Sequence, residues 1–120
     1  MTEYLESSSR ILYEFCIGIP IQNDKDVFKN AVFDLTEELT NLTDGLTYEY
    51  VYGTWKKDNT SQIEREFTVR IYTIVLPEIA NDFYLSSKEI IAAINKKYNL
   101  GIIHVQVMKT IGHAEHFRVL

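Results

Sequence analysis

Three histidines are the first residues whose types and spacing could do chemistry. His113 and His116 are three positions apart, and His104 lies one strand earlier. Neutral imidazoles at such spacing can hold zinc or another divalent metal. A third ligand is not evident, because Cys16, the single cysteine, belongs to a different strand. Ordinary surface histidines explain the spacing better than a metal site does, so no metal ligand is assigned. A cysteine nucleophile needs a base in fixed geometry. Cys16 sits mid-strand rather than at a helix N-terminus, and reads as a small, partly buried residue. Glu37, Glu38, Glu64 and Glu66 look like solvated helix and strand positions, not a catalytic pair. Gly18, Gly45, Gly53, Gly101 and Gly112 stand alone and form no phosphate loop. No catalytic residue and no cofactor is therefore assigned. The competing enzyme reading is a small hydrolase or isomerase with His104, His113 or His116 as base.

A second set of residues is better suited to binding than to catalysis. Tyr50, Tyr52, Trp55, Lys56, Lys57, Arg65, Arg70, Tyr72, Lys109, Phe117 and Arg118 all lie outside the helical stripes. Aromatic rings can stack on a base, and Arg or Lys can pair with phosphate. The same residues also read as a sheet or dimer interface with charges at its rim.

These groups must be positioned by regular elements. Ile11 to Ile19 alternates, with Tyr13, Phe15, Ile17 and Ile19 on one face, and Pro20 ends it. Asp24 to Thr43 carries an apolar stripe of Phe28, Val32, Leu35, Leu39 and Leu42, which predicts a helix. Asn23 or Asp24 can cap it, and Gly45 suits a left-handed end. Leu46 to Lys56 and Ile63 to Leu76 read as strands, joined by the polar loop Lys57 to Ser61, with Gly53 marking a bulge or a close backbone approach. Ser86 and Glu89 form a capping box for a second helix that runs to about Asn99. Ile102 to Met108 is a further strand with Ile103, Val105 and Val107 inward. Gly112 reads as a turn, and His116 to Leu120 as an optional extra edge strand.

The order is β-α-β-β-α-β, an α+β ferredoxin-like arrangement with an antiparallel sheet carrying two helices on one face. A chain of 120 residues fits one domain, expected over 11–120 behind a flexible polar segment, 1–10. The predicted core comprises Phe15, Ile17, Phe28, Val32, Leu35, Leu39, Phe67, Val69, Ile71, Ile90, Ile94, Val105 and Val107. The other sheet face carries Leu12, Tyr72, Ile74 and Met108, too apolar for water, which predicts a homodimer or a larger homo-oligomer.

Net charge is −5, with a pI near 5.1. An acidic chain repels a polynucleotide backbone, so neither DNA nor RNA is an expected partner. RNA-recognition modules share this strand order, but Glu64 to Tyr72 lacks their glycines and carries two acids. No apolar run reaches a membrane span, and Ile71 to Ile79 is broken by Pro77. The lone cysteine and the polar first ten residues fit a cytoplasmic protein.

Leu12 to Pro20 (LYEFCIGIP) and Gly45 to Trp55 (GLTYEYVYGTW), with the elements that follow, give the chain a family resemblance. It resembles the phage Thoeris anti-defence proteins of the first described type. It is similar, too, to an uncharacterised bacterial domain family with a like opening strand and a Gly-x-Trp strand end. The first resemblance implies an oligomeric sponge that binds cyclic ADP-ribose-type signals made by bacterial TIR enzymes and does not cleave them. No ligand residue is transferred from that family. For such a ligand, Trp55 or Phe117 is the expected stacking ring, and Lys56, Arg70 or Arg118 the expected phosphate partner, in a site between subunits.

Overall fold

The computed structural model describes residues 2–20, 24–57 and 59–119, and the side chains of 9–19, 24–57, 59–115 and 119. Its elements are β1 (Thr2–Pro20), α1 (Lys25–Thr43), β2 (Thr47–Lys56), β3 (Ile63–Val75), α2 (Pro77–Tyr98) and β4 (Val105–Val119). The four strands form one antiparallel sheet in the order β2-β3-β1-β4. With two helices on one face this is the ferredoxin-like arrangement, and the α+β class stands as expected.

Alternation in β1 and β3 fixes which face is covered. Tyr13, Phe15, Ile17 and Ile19 pair with Thr73, Ile71, Val69 and Phe67, and all of them point toward the helices. α1 lies over β2 and β3, where the Phe28 ring sits 5.6 Å from Tyr50 and 5.9 Å from Phe67. α2 lies over β1, with Phe83 5.4 Å and Tyr84 5.8 Å from the Tyr13 ring. The buried Tyr13 hydroxyl donates to the Ala80 carbonyl at 3.2 Å. The helices are tied to each other by Asp34, which accepts from the Tyr98 hydroxyl and from Lys97. Those bonds hold the Asp34 carboxyl below its ordinary value.

Of the expected core, Phe15, Ile17, Phe28, Val32, Leu35, Leu39, Val69, Ile71 and Ile94 are buried. Phe67, Ile90, Val105 and Val107 are partly buried and pack against it. Ile103 is 82% exposed, because it lies in the loop before β4 rather than in the strand.

Several boundaries differ from the pattern reading. β1 begins at Thr2, so residues 2–10 of the polar segment expected to be flexible are drawn into the strand. Its partner there is β4, which runs through Gly112 to Val119 as one strand. A strand partner removes any need for a turn at Gly112, and His116 to Val119 continue β4 instead of starting the separate edge strand expected there; Leu120 lies outside the described residues. β3 reaches only Ile11 of β1, so beyond that point β1 and β4 pair as two strands alone.

α2 starts at Pro77, more than two turns before the capping box at Ser86 and Glu89. Proline is tolerated at the first helical position because that N–H has no helical partner anyway. The added turns bury Ala80 and Phe83 against β1. Ser87, fully buried inside the helix, donates back to the Phe83 carbonyl at 2.7 Å. At α1, Asp24 caps two backbone N–H groups, and Asp44 rather than Gly45 takes the left-handed position.

Val69 is 1% exposed and Phe33 is 64% exposed. Val69→Asp should abolish cooperative melting, since a buried unpaired charge costs several kcal/mol against a total of about 5–15. Phe33→Glu should melt close to the parent. Thermal denaturation followed by circular dichroism checks the pair; a cooperative Val69→Asp transition near the parent's would refute this core.

Candidate functional site

The helices leave one face of the sheet uncovered. β3 crosses it with Glu64, Glu66, Thr68, Arg70, Tyr72 and Ile74. From β1 come Leu12, Glu14, Cys16 and Gly18; from β2, Glu49, Val51, Gly53 and Trp55; from β4, Gln106 and Met108. Ile74, Met108 and Trp55 are exposed large side chains there.

Arg70 stands between two carboxylates. It bonds Glu14 on one side, and Glu49 at 3.2 Å on the other. The Tyr72 hydroxyl donates to the same Glu49 oxygen at 2.9 Å. The Glu14 contact, first among its causes, raises the Arg70 pKa further above its ordinary value. The guanidinium charge is thus matched locally, and a phosphate would have to displace a carboxylate to reach it.

One strand-step along, the pairing partners of β3 include two glycines. Gly18 faces Thr68, and Gly53 faces Glu66. The Glu66 carboxylate folds onto the sheet over Gly18, so close that a Cβ there would lie 2.1 Å from Oε1. A Cβ on Gly53 would lie 2.9 Å from Thr68 Oγ1 and 3.3 Å from Glu66 Oε1. Any side chain at either position would force Glu66 or Thr68 to move. Burial pushes the Glu66 carboxyl above its ordinary value. Thr68 Oγ1 is buried and has no hydrogen-bond partner among the described residues. An unpaired buried hydroxyl is uncommon and costs stability.

The expected site residues fall in three places. Trp55 faces outward on the uncovered side, opposite Glu64, near the β2–β3 hairpin end. Lys56, its neighbour, faces the helix side opposite Ile63. Arg70 lies mid-face. Phe117 and Arg118 pair in β4 with Tyr4 and Glu3, at the far end of β1; their side chains lie outside the described residues. Since β2 and β4 are opposite edges, one chain does not bring these groups together. Glu66 and Thr68, with their two glycines, were missed as a group. The sequence does mark Gly53 as a close approach, and the continuous register shows that it makes no bulge.

His104 is exposed in the loop before β4, and His113 stands opposite Ser9. The side chain of His116 lies outside the described residues. No cluster of His, Cys, Asp or Glu suited to a metal occurs among the described residues. No described helix is long and apolar enough to cross a membrane. A concavity of about 300 Å³ opens on the helix side between α2 and β4. Phe15, Ile91 and Val107 make it apolar, and Lys88 stands at its rim over the Tyr84 ring. Asn95 closes one end by clamping both backbone groups of Ile102.

No family model matches the chain, and no curated protein does. Solved structures share its fold. A phage SAM lyase in complex with S-methyl-5'-thioadenosine is similar with a TM-score of 0.51 and 11% identity, over 92% of this chain and 90% of that one. A phage SAM lyase in its apo state gives 0.51 and 12%, over 88% and 89%. The periplasmic divalent cation tolerance protein CutA from Archaeoglobus fulgidus gives 0.48 and 10%, over 86% and 82%. At such identities the likeness is one of fold.

The raised Glu66 pKa makes a stability prediction. Between the unfolded value and the raised folded value, the folded state binds more protons, so rising pH lowers stability through this group. Glu66→Gln removes that loss. Its melting temperature should exceed the parent's at pH 7, and the difference should shrink toward zero near pH 4. A difference that is constant with pH would refute the desolvated carboxyl.

Proposed function

We propose that the chain binds a small nucleoside-derived molecule on the helix-free face, where copies of the chain meet, and holds it without cleaving it. The observation that carries this reading is the pairing of unsatisfied polar groups, Glu66 and Thr68, with aromatic and apolar neighbours on one uncovered face. Ligand sites combine an apolar surround with a few placed polar groups in this way. The phage SAM lyase of like fold was solved with an adenosine-type thioether, which supports a nucleoside as the ligand class.

The finer form of the proposal is sequestration of a cyclic ADP-ribose-type signal, as the anti-defence resemblance implies. The mid-face carboxylates disfavour phosphate there. Arg118, near a strand end where a neighbouring chain can approach, is the proposed phosphate partner, with Trp55 or Phe117 as the stacking ring; Lys56, on the helix side, does not stand on this face. A second reading is favoured by Glu66. A carboxyl with a raised pKa beside a ligand can transfer a proton, and the chain would then be a lyase acting on S-adenosylmethionine, as that phage protein's name describes. A module that binds only protein is the third reading.

Two measurements separate them. The protein is incubated with a cyclic ADP-ribose isomer or with S-adenosylmethionine, then denatured, and the small molecules are chromatographed. Uptake with recovery of intact ligand agrees with holding; a new product contradicts it. Trp55→Ala should weaken the binding at least tenfold with little change in melting temperature, since stacking contributes about 1–3 kcal/mol per base. Unchanged affinity would place the ring elsewhere. Light scattering at micromolar concentration should show a particle larger than the 14.0 kDa chain; a 14.0 kDa particle would remove the shared-face proposal.

A further inference from the structure

β4 forms one edge of the sheet, since the strand order is β2-β3-β1-β4. It is 15 residues long, against 10 for β2 at the opposite edge. An edge strand offers a row of backbone donors and acceptors to any further strand, and proteins blunt it with proline, bulges or a short length. β4 has none of these. It contains no proline, and the register shift in its pairing falls in β1, between Tyr4 and Glu6. Ile111 is 75% exposed on this edge, and Met108 and Val119 are exposed as well.

Two features of β4 have no account within a single chain. Residues 112–119 pair with residues 2–10 of β1 as two strands alone. A two-stranded sheet is marginal in water until a third strand or a packed layer joins it. The second feature is Gly112, a glycine inside a strand, where it weakens pairing. A Cβ at Gly112 would meet nothing within 4 Å, and its φ is not in the left-handed region. Neither space nor conformation inside the chain calls for glycine there. Glycine in a strand also marks close approach of another backbone. Gly112 is the midpoint of Val105–Val119.

We propose that β4 pairs antiparallel with β4 of a second copy, about a two-fold axis through Gly112. This centre overlaps all 15 residues of both strands. It lays residues 112–119 of each copy beside residues 105–112 of the other, so each two-stranded stretch gains its third strand from the partner's sheet. It also sets Lys109 of each copy opposite Glu115 of the other, and no other centre does. Both side chains are exposed, and neither has an ion-pair partner among the described residues. Opposite charges directly across a sheet stabilise it, and the two-fold makes the contact twice. Positions that meet are both odd or both even, so side chains keep their faces and the helices of both copies stay on one side. The helix-free faces then continue side by side, open, and the pairing depends on no ligand.

Sedimentation equilibrium on the parent, Lys109→Glu and Glu115→Lys tests the edge and its register. The parent should associate to twice the 14.0 kDa chain mass. Each single change puts like charges across the axis at two places, and should weaken association by about tenfold. Both positions are exposed, so both variants should keep the parent's circular dichroism. An equimolar mixture of the two variants restores opposite charges at both contacts, and should associate as tightly as the parent. A parent of 14.0 kDa would overturn this pairing together with any meeting of copies. A larger parent whose association neither change weakens, or a mixture that fails to recover, would overturn the β4 edge alone and leave the ligand reading intact.

Discussion

Burial of the odd-numbered side chains of β1 and β3 beneath both helices is the constraint on which the rest of the structure depends. Phe15 and Ile71 have no exposed surface, and they face each other across the two central strands. Once these side chains point toward the helices, the even-numbered ones must point away, because strand side chains alternate. Two crossovers of the same hand place both helices on one side. The other side is left to Leu12, Glu14, Cys16, Thr68, Arg70 and Tyr72, with no layer to cover them.

That uncovered face is chemically uneven. Around Arg70 every charge has an answer: Glu14 and Glu49 flank the guanidinium, and Tyr72 bonds to Glu49. Such a cluster is satisfied without a ligand. Around Thr68 the opposite holds. A desolvated carboxyl and a buried hydroxyl lack partners among the described residues, and they pack directly over two glycines. Folding alone favours pairing or removing such groups. Their presence beside a well-paired neighbour is why the proposed binding is placed at this end of the face, ahead of the apolar groove between α2 and β4.

The fold was legible because its signals are periodic. The stripe Phe28, Val32, Leu35, Leu39 and the alternation of β1 and β3 named most of the core. Local signals misled where a long-range contact outweighed them. The Ser86–Glu89 box gave way to a start at Pro77, since two more turns of α2 gain contact with β1. Gly112 looked like a turn, but β1 offers it a strand partner at Arg10, and no local pattern reveals pairing across 102 residues. The site was less legible for the same reason. Gly18, Gly53, Glu66 and Thr68 come from three strands, and only the register brings them together. Trp55, Lys56, Arg70, Phe117 and Arg118 were chosen by residue type, and type does not say which edge or end a residue occupies.

The location of the ligand is the central claim, and it is open to direct measurement. Titration of nitrogen-15-labelled protein with adenosine, followed by amide chemical shifts, reads every strand at once. The largest changes should fall at Gly18, Gly53, Glu66 and Thr68, with Trp55 next. Changes concentrated instead at Lys88, Asn95 and Val105, around the groove between α2 and β4, would contradict the assignment of the helix-free face.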